Sequence, residues 1–160
     1  MGCRIRFAGP DDAPTLHAFI LALATYAREP DAVEVTPDVL GKQMAAAQPP
    51  FECLLAERNA TAVGFALFHQ KYFTWRGRDG IYLEDLYVDE AHRGRGVGTT
   101  LLRRLARLAV ERGCVRLEWS ALDRNAAAIA FYEKLGAEAL PQRTVFQLTD
   151  ESLARLAARR

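Results

Sequence analysis

The residues Arg93-Gly94-Arg95-Gly96-Val97-Gly98-Thr99 are the part of this sequence best suited to chemistry. Glycines let a backbone approach a ligand and reach dihedrals that other residues avoid. An amphipathic stretch follows at once, so the turn ends on a helix N-terminus. There the first N–H groups lack partners and the macrodipole adds partial positive charge. Arg93 and Arg95 bring two full charges to the same place. A diphosphate is the ligand that suits such a construction best. The spacing is not the Walker pattern, since no Lys-Ser/Thr pair closes it. Nor is it the dinucleotide fingerprint, since Gly94-x-Gly96-x-Gly98 lacks the later glycine. Just upstream, Glu84 and Asp85 are neighbours on a stretch rich in aromatic and branched residues. On a regular strand they point to opposite faces, so only one is expected to face a cleft directly. Carboxylates attract an ammonium and take its proton, but a solvated strand-end pair is the common alternative.

These groups need elements to position them. Residues 81–88 read as a strand, and the helix after the glycine turn buries Val97, Leu101, Leu102, Leu105, Leu108 and Ala109, with Gly113 as its C-cap. Before them, residues 3–8 alternate as a first strand, and helices are expected over 13–28 and 37–47. Strands over 51–57 and 62–68 form an antiparallel pair, and residues 70–80 read as a strand end and aromatic loop. A strand over 115–122, a helix over 126–135, a strand over 144–148 and a terminal helix from Thr149 complete the order. Consecutive strands imply hairpins and helix-separated strands imply partly parallel pairing, so the fold class is mixed α/β or α+β.

The chain of 160 residues, 50% apolar and 26% charged, is expected to form one domain over residues 1–160. A net charge of +1 argues against nucleic acid as a partner. The longest strongly apolar run, residues 19–24, is too short to span a bilayer, so no membrane partner is expected. Arg4, Arg6, Asp11 and Asp12 interrupt any signal-peptide pattern, and a cytoplasmic location follows as the expectation. Cys3, Cys53 and Cys114 form no metal or disulfide pattern and read as small buried hydrophobes, so no metal is expected. His17, His69 and His92 are scattered, and His92 reads as a turn residue.

Two stretches carry a family resemblance. Arg93-x-x-Gly96-x-Gly98 is similar to the pyrophosphate loop of the GCN5-related N-acetyltransferases, the GNAT superfamily. Asn125-Ala126-Ala127-Ala128-Ile129-Ala130-Phe131-Tyr132-Glu133-Lys134-Leu135-Gly136-Ala137 resembles the signature on the family's following helix. Within the superfamily, Tyr82-Leu83-Glu84-Asp85-Leu86-Tyr87-Val88 resembles the diamine (spermidine/spermine) and thialysine acetyltransferase branch. The element order is the one that the acyl-CoA N-acyltransferase fold uses, with a mostly antiparallel twisted sheet flanked by helices.

The resemblance implies acetyl-CoA as co-substrate and direct acetyl transfer to a primary amine of a small molecule, a diamine, polyamine or thialysine-like compound. It implies that Glu84 is the base, through water, with Asp85 the weaker candidate, and that Tyr132 protonates the CoA thiolate. A phenol suits this because it donates while neutral at pH 7, although Phe131-Tyr132 also fits core packing. Backbone at Leu86, Tyr87 and Val88 is implied to hold the pantetheine arm. Gly94, Arg95, Gly96, Val97, Gly98 and Thr99, with Arg93, are implied to hold the diphosphate, and Asn125 to Ala128 to line the CoA exit. Tyr26 and Trp75 are candidate walls for the amine, beside Glu84 and Asp85. Phe73 and Ala27 stand where the diamine branch carries acidic residues, which counts against a long polycation. A homodimer is also implied. Protein or peptide N-acetylation, or a CoA-binding module without catalysis, remain as alternatives.

Overall fold

Alternating apolar residues build the sheet that dominates the computed structural model, which describes residues 2–159. Strands β1 (Arg4–Phe7), β2 (Glu52–Arg58), β3 (Thr61–Phe73) and β4 (Arg78–Val88) pair antiparallel in that order. A two-residue β5 (Leu117–Glu118) joins β4 in parallel, completing five strands. The sheet is thus mostly antiparallel with one parallel pair, in a mixed α/β chain, as the sequence leads one to expect.

Helices α1 (Ala13–Tyr26) and α2 (Pro37–Met44) follow β1, and each takes a proline in its first turn where no N–H is needed. Thr36 caps α2 by accepting from the Val39 N–H at 3.3 Å. These helices cover one sheet face through a cluster of Ala13, Leu16, Leu40, Cys53, Leu55, Phe65 and Leu67, with Phe19 and Tyr87 packed against it. Residues of the other parity on the same strands, Leu54, Ala56, Ala66 and Phe68, are also fully buried. Their cover is α3 (Val97–Glu111), whose Leu101 and Leu105 are 0% exposed and lie one turn apart. Each such leucine stabilises by roughly 1.5–3 kcal/mol.

The chain divides into two compact units, one ending at Ser120 and the other beginning at Ala121. The second holds α4 (Ala126–Lys134) and α5 (Asp150–Ala157), and none of its described residues is fully buried. Asn125 caps α4 by accepting from the Ala128 N–H at 3.2 Å. The helix ends at Gly136, whose φ of +90° lets the Ala137 N–H reach the Tyr132 carbonyl at 3.1 Å.

Three expectations change. Residues 70–80, expected as a strand end and loop, form a fuller hairpin arm: β3 runs on to Phe73, residues 74–77 turn, and β4 starts at Arg78. The turn closes through the Arg76 N–H on the Phe73 carbonyl at 3.1 Å, with Gly77 at φ +59°. The strand expected over 115–122 shrinks to Leu117–Glu118, the only pair in register with β4. The strand expected over 144–148 does not form. Val145 and Phe146 are 88% and 89% exposed, and among the described residues their own unit holds no strand to pair with. Strand propensity without a neighbouring ladder leaves backbone groups to solvent.

Candidate active site

Strand β4 carries the candidate carboxylates, and its register with β3 decides where they point. Leu67 lies opposite Asp85 and Phe68 opposite Leu83, so Glu84 is an extra residue on β4, a β-bulge. The bulge breaks the alternation that would send Glu84 and Asp85 to opposite faces. Asp85 shares the face of its partner Leu67, part of the α1/α2 core. The Glu84 carboxylate meets His69 Nε2 at 2.9 Å, and His69 has the same parity on β3 as Leu67. Both carboxylates therefore occupy one face, a correction to the single cleft-facing group expected from a regular strand.

Their environments differ. Glu84 is half exposed. Burial pushes the Asp85 carboxyl up to about 6, and the neighbouring Glu84 charge adds to the shift. Farther along this face are Tyr82, 5.5 Å from the His69 ring, and Lys71, which meets Glu118 at 2.6 Å. At the other end α1 delivers Tyr26. The Arg93 guanidinium sits 5.2 Å from the Tyr26 ring and 5.6 Å from the Tyr87 ring, and its Nε donates to the Val88 carbonyl at 2.9 Å. Arg93 is thus folded over aromatic rings beside the glycine loop.

Beyond Tyr82 the edge of β4 opens. β5 pairs only with Ile81 and Tyr82, so among the described residues no strand lies beside Leu86, Tyr87 and Val88 on the side away from β3. This open edge runs through a turn in which Asp89 accepts from Ala91 N–H at 3.0 Å and contacts His92 Nδ1 at 3.2 Å. His92 is a turn residue, as its sequence context suggests. The glycine loop follows. Gly94 and Gly96 have φ of +69° and +78°, and a Cβ at either would meet nothing within 4 Å, so the space over the loop is open. Gly96 caps α3 with no side-chain acceptor, which leaves the N–H groups of Val97, Gly98 and Thr99 facing outward for an anion. Behind the loop, Arg58 donates to the Arg95 carbonyl at 3.3 Å. Open space, left-handed glycines and an uncapped helix end fit a diphosphate.

The other candidates are placed as follows. Trp75 stands in the hairpin turn, 95% exposed, and five residues of β3 separate that turn from the Glu84 level, about 17 Å at strand rise. The hairpin does not bring it to the carboxylates. In the second unit, Tyr132 lies on α4 with its ring 5.3 Å from Phe131, and burial raises its phenol above the ordinary value. Asn125 and Ala128 are joined through the α4 cap. Among the cysteines only Cys53 is fully buried, its thiol pushed up chiefly by burial; Cys3 and Cys114 are partly exposed. On the α3 face a cleft of about 110 Å³ is lined by Phe68, Gln70, Asp79, Ile81, Arg112 and Cys114, too small for a cofactor-sized ligand and away from Glu84. No cluster suited to a metal ion occurs among the described residues.

Comparison with known proteins converges on the same stretch. The profile described as "Acetyltransferase (GNAT) family" matches residues 17–137. The thialysine N-epsilon-acetyltransferase of Bos taurus is 32% identical over 97% of this chain and 97% of its own. The chain belongs to the GNAT acetyltransferase family. This GNAT protein is an N-acetyltransferase, and the family uses acetyl-CoA. It is also 34% identical to the spermidine/spermine N(1)-acetyltransferase-like protein 1 of Homo sapiens, over 84% of this chain and 20% of that one. In structure it superposes on an integron cassette protein from the V. cholerae mobile metagenome with a TM-score of 0.83, at 23% identity and 99% coverage of both chains, a likeness of fold.

One group at this site escapes the sequence. His69 reads there as one of three scattered histidines. Its contact with Glu84 depends on the hairpin register and the bulge, for which the residue string carries no local signal.

Proposed function

We infer that this N-acetyltransferase moves acetyl from acetyl-CoA directly to a primary amine of a small molecule. The observation that carries the inference is the pair of carboxylates brought to one face of β4 by the bulge, beside an open strand edge that leads into the glycine loop. Acetyl-CoA supplies an acetyl group activated as a thioester. The N–H groups at the start of α3 hold its diphosphate, with Arg95 adding charge. The exposed backbone of Leu86, Tyr87 and Val88 receives the pantetheine arm as an added strand, and one of these amides serves as oxyanion donor.

An amine with a lysine-like pKa near 10.4 arrives as an ammonium. Glu84, half exposed, attracts it and takes a proton through water, while Asp85 adds negative charge and keeps part of its own proton near neutral pH. The family resemblance gives Tyr132, whose phenol burial keeps protonated, the role of proton donor to the departing thiolate. Overall the ammonium loses two protons, one to the CoA sulfur and one to solvent. Tyr26 and the Asp85 face bound the amine.

Among amines, a compact or carboxylate-bearing one such as a lysine analogue fits better than a long polycation. Where the diamine branch has an acid, Phe73 is overlain by two cations, Lys71 at 5.4 Å and Arg116 at 4.5 Å from its ring. Thialysine, named for the bovine relative, belongs to this class. The same proposal places the enzyme in the cytoplasm, as a homodimer and a single domain; no helix among the described residues is long and apolar enough to cross a membrane.

The test is CoA-thiol release across thialysine, lysine, ornithine, putrescine, spermidine and short peptides, with Tyr132→Phe and Glu84→Gln alongside. Turnover of a small amine that falls at least about 100-fold in each variant, with acetyl-CoA binding retained, is expected. Tight acetyl-CoA binding without thiol release to any amine overturns it.

A further inference from the structure

His69 makes two contacts that a neutral imidazole cannot both satisfy while Glu84 is ionised. Its Nδ1 is 3.1 Å from the Gln70 carbonyl, and its Nε2 is 2.9 Å from the Glu84 carboxylate. Both partners are acceptors, whereas a neutral ring has one N–H. The carbonyl can only accept, so it keeps the N–H on Nδ1. One further proton must then lie between Nε2 and Glu84 for the second contact to hold. It sits either on the ring, giving an ion pair, or on the carboxyl, giving a neutral pair. With that proton gone, a lone pair faces a carboxylate and the pair is poised to take one up.

We propose that His69 and Glu84 work as a proton-relay dyad, in which Glu84 receives the proton that the amine loses and His69 Nε2 passes it on to solvent. This rests on the role of Glu84 given above and adds His69 as a positioning residue that acts through it. The step balances: the N–H bond of the ammonium breaks as an O–H bond forms on Glu84 through the intervening water, and that O–H bond breaks as an N–H bond forms on Nε2 along the 2.9 Å contact. It then leaves from a side chain about one-third exposed. One proton per turnover must reach solvent, and this is its path.

The surroundings tune the pair. On β4, Glu84 favours the charged ring, Asp85 lies on the same face, and Tyr82 packs 5.5 Å from the ring. On β3, Lys71 opposes that charge, and Glu118 of β5 holds Lys71 at 2.6 Å. Arg93, stacked on Tyr26 of α1, stands farther along the same face. Burial disfavours the imidazolium, but the Gln70 carbonyl and Glu84 outweigh it, so His69 holds its proton to higher pH than the ordinary 6.5. Below that pH the dyad already carries its proton and cannot accept another.

The test compares pH profiles of kcat/KM for wild type and His69→Gln with one amine, so that the amine's own ionisation cancels. In wild type the dyad sets an acid limb. In His69→Gln the base is Glu84 alone, so the limb moves to lower pH while the plateau falls about tenfold. A purely structural histidine would lower the whole curve without moving its limb, and that result overturns the relay. NMR titration of the His69 imidazole in wild type and Glu84→Gln needs no turnover. Its midpoint is expected to fall in Glu84→Gln, and equal midpoints overturn the dyad. An active wild type with an unmoved limb defeats the relay alone. A wild type that binds acetyl-CoA and acetylates no amine defeats the proposed function and the relay together.

Discussion

Asp85→Asn should stabilise this enzyme, and should do so only when the solution is not acidic. The Asp85 carboxyl is pushed from its ordinary 3.8 to about 6, first by burial and then by the Glu84 charge. A carboxyl harder to ionise when folded draws the chain toward its protonated form. The native state therefore carries no penalty below the unfolded pKa. The penalty grows as pH rises through the window from about 4 to 6 and is complete above it. A shift of about two units at 1.36 kcal/mol each gives at most about 3 kcal/mol. In a chain of this size that amounts to roughly 6–12 °C in Tm. The amide removes the charge while keeping the shape, so its advantage over wild type should be near zero at about pH 3.5 and largest near pH 8. Urea denaturation of both proteins across that range, with thermal melts as a second readout, measures it. Curves that stay parallel from pH 4 to 8 would refute the claim that Asp85 is held in a poorly solvated site beside Glu84.

Two further outcomes test the surrounding frame. Gly96→Val forces a branched residue into a φ of +78°, about 1–2 kcal/mol of backbone strain, and should weaken acetyl-CoA binding about tenfold by calorimetry; an unchanged Kd would remove the loop from the binding site. Gly64→Ala places a Cβ 2.6 Å from the Tyr87 carbonyl oxygen on the neighbouring strand β4. It should cost about 1–3 kcal/mol in denaturant unfolding, and a negligible change would mean that this strand pair yields freely.

The glycine loop, the long helix behind it and the order of strands and helices as far as α4 are legible in the residues because their causes are local. Left-handed turns demand glycine, helices repeat every 3.6 residues, and buried strands concentrate branched side chains. The same holds for the presence of Glu84 and Asp85 on the strand before the loop. Tertiary structure alone decided which way those carboxylates point, since the bulge at Glu84 exists only in the pairing of β4 with β3. It also decided that His69 meets Glu84, and that Trp75 rides at a hairpin tip instead of beside them. Residues 144–148 make the same point from the other side. Their composition favours a strand, yet a strand is stabilised by a neighbour's hydrogen bonds, and their unit supplies none. Local chemistry names the groups that can react; strand register, a property of residues far apart in sequence, brings them to one face.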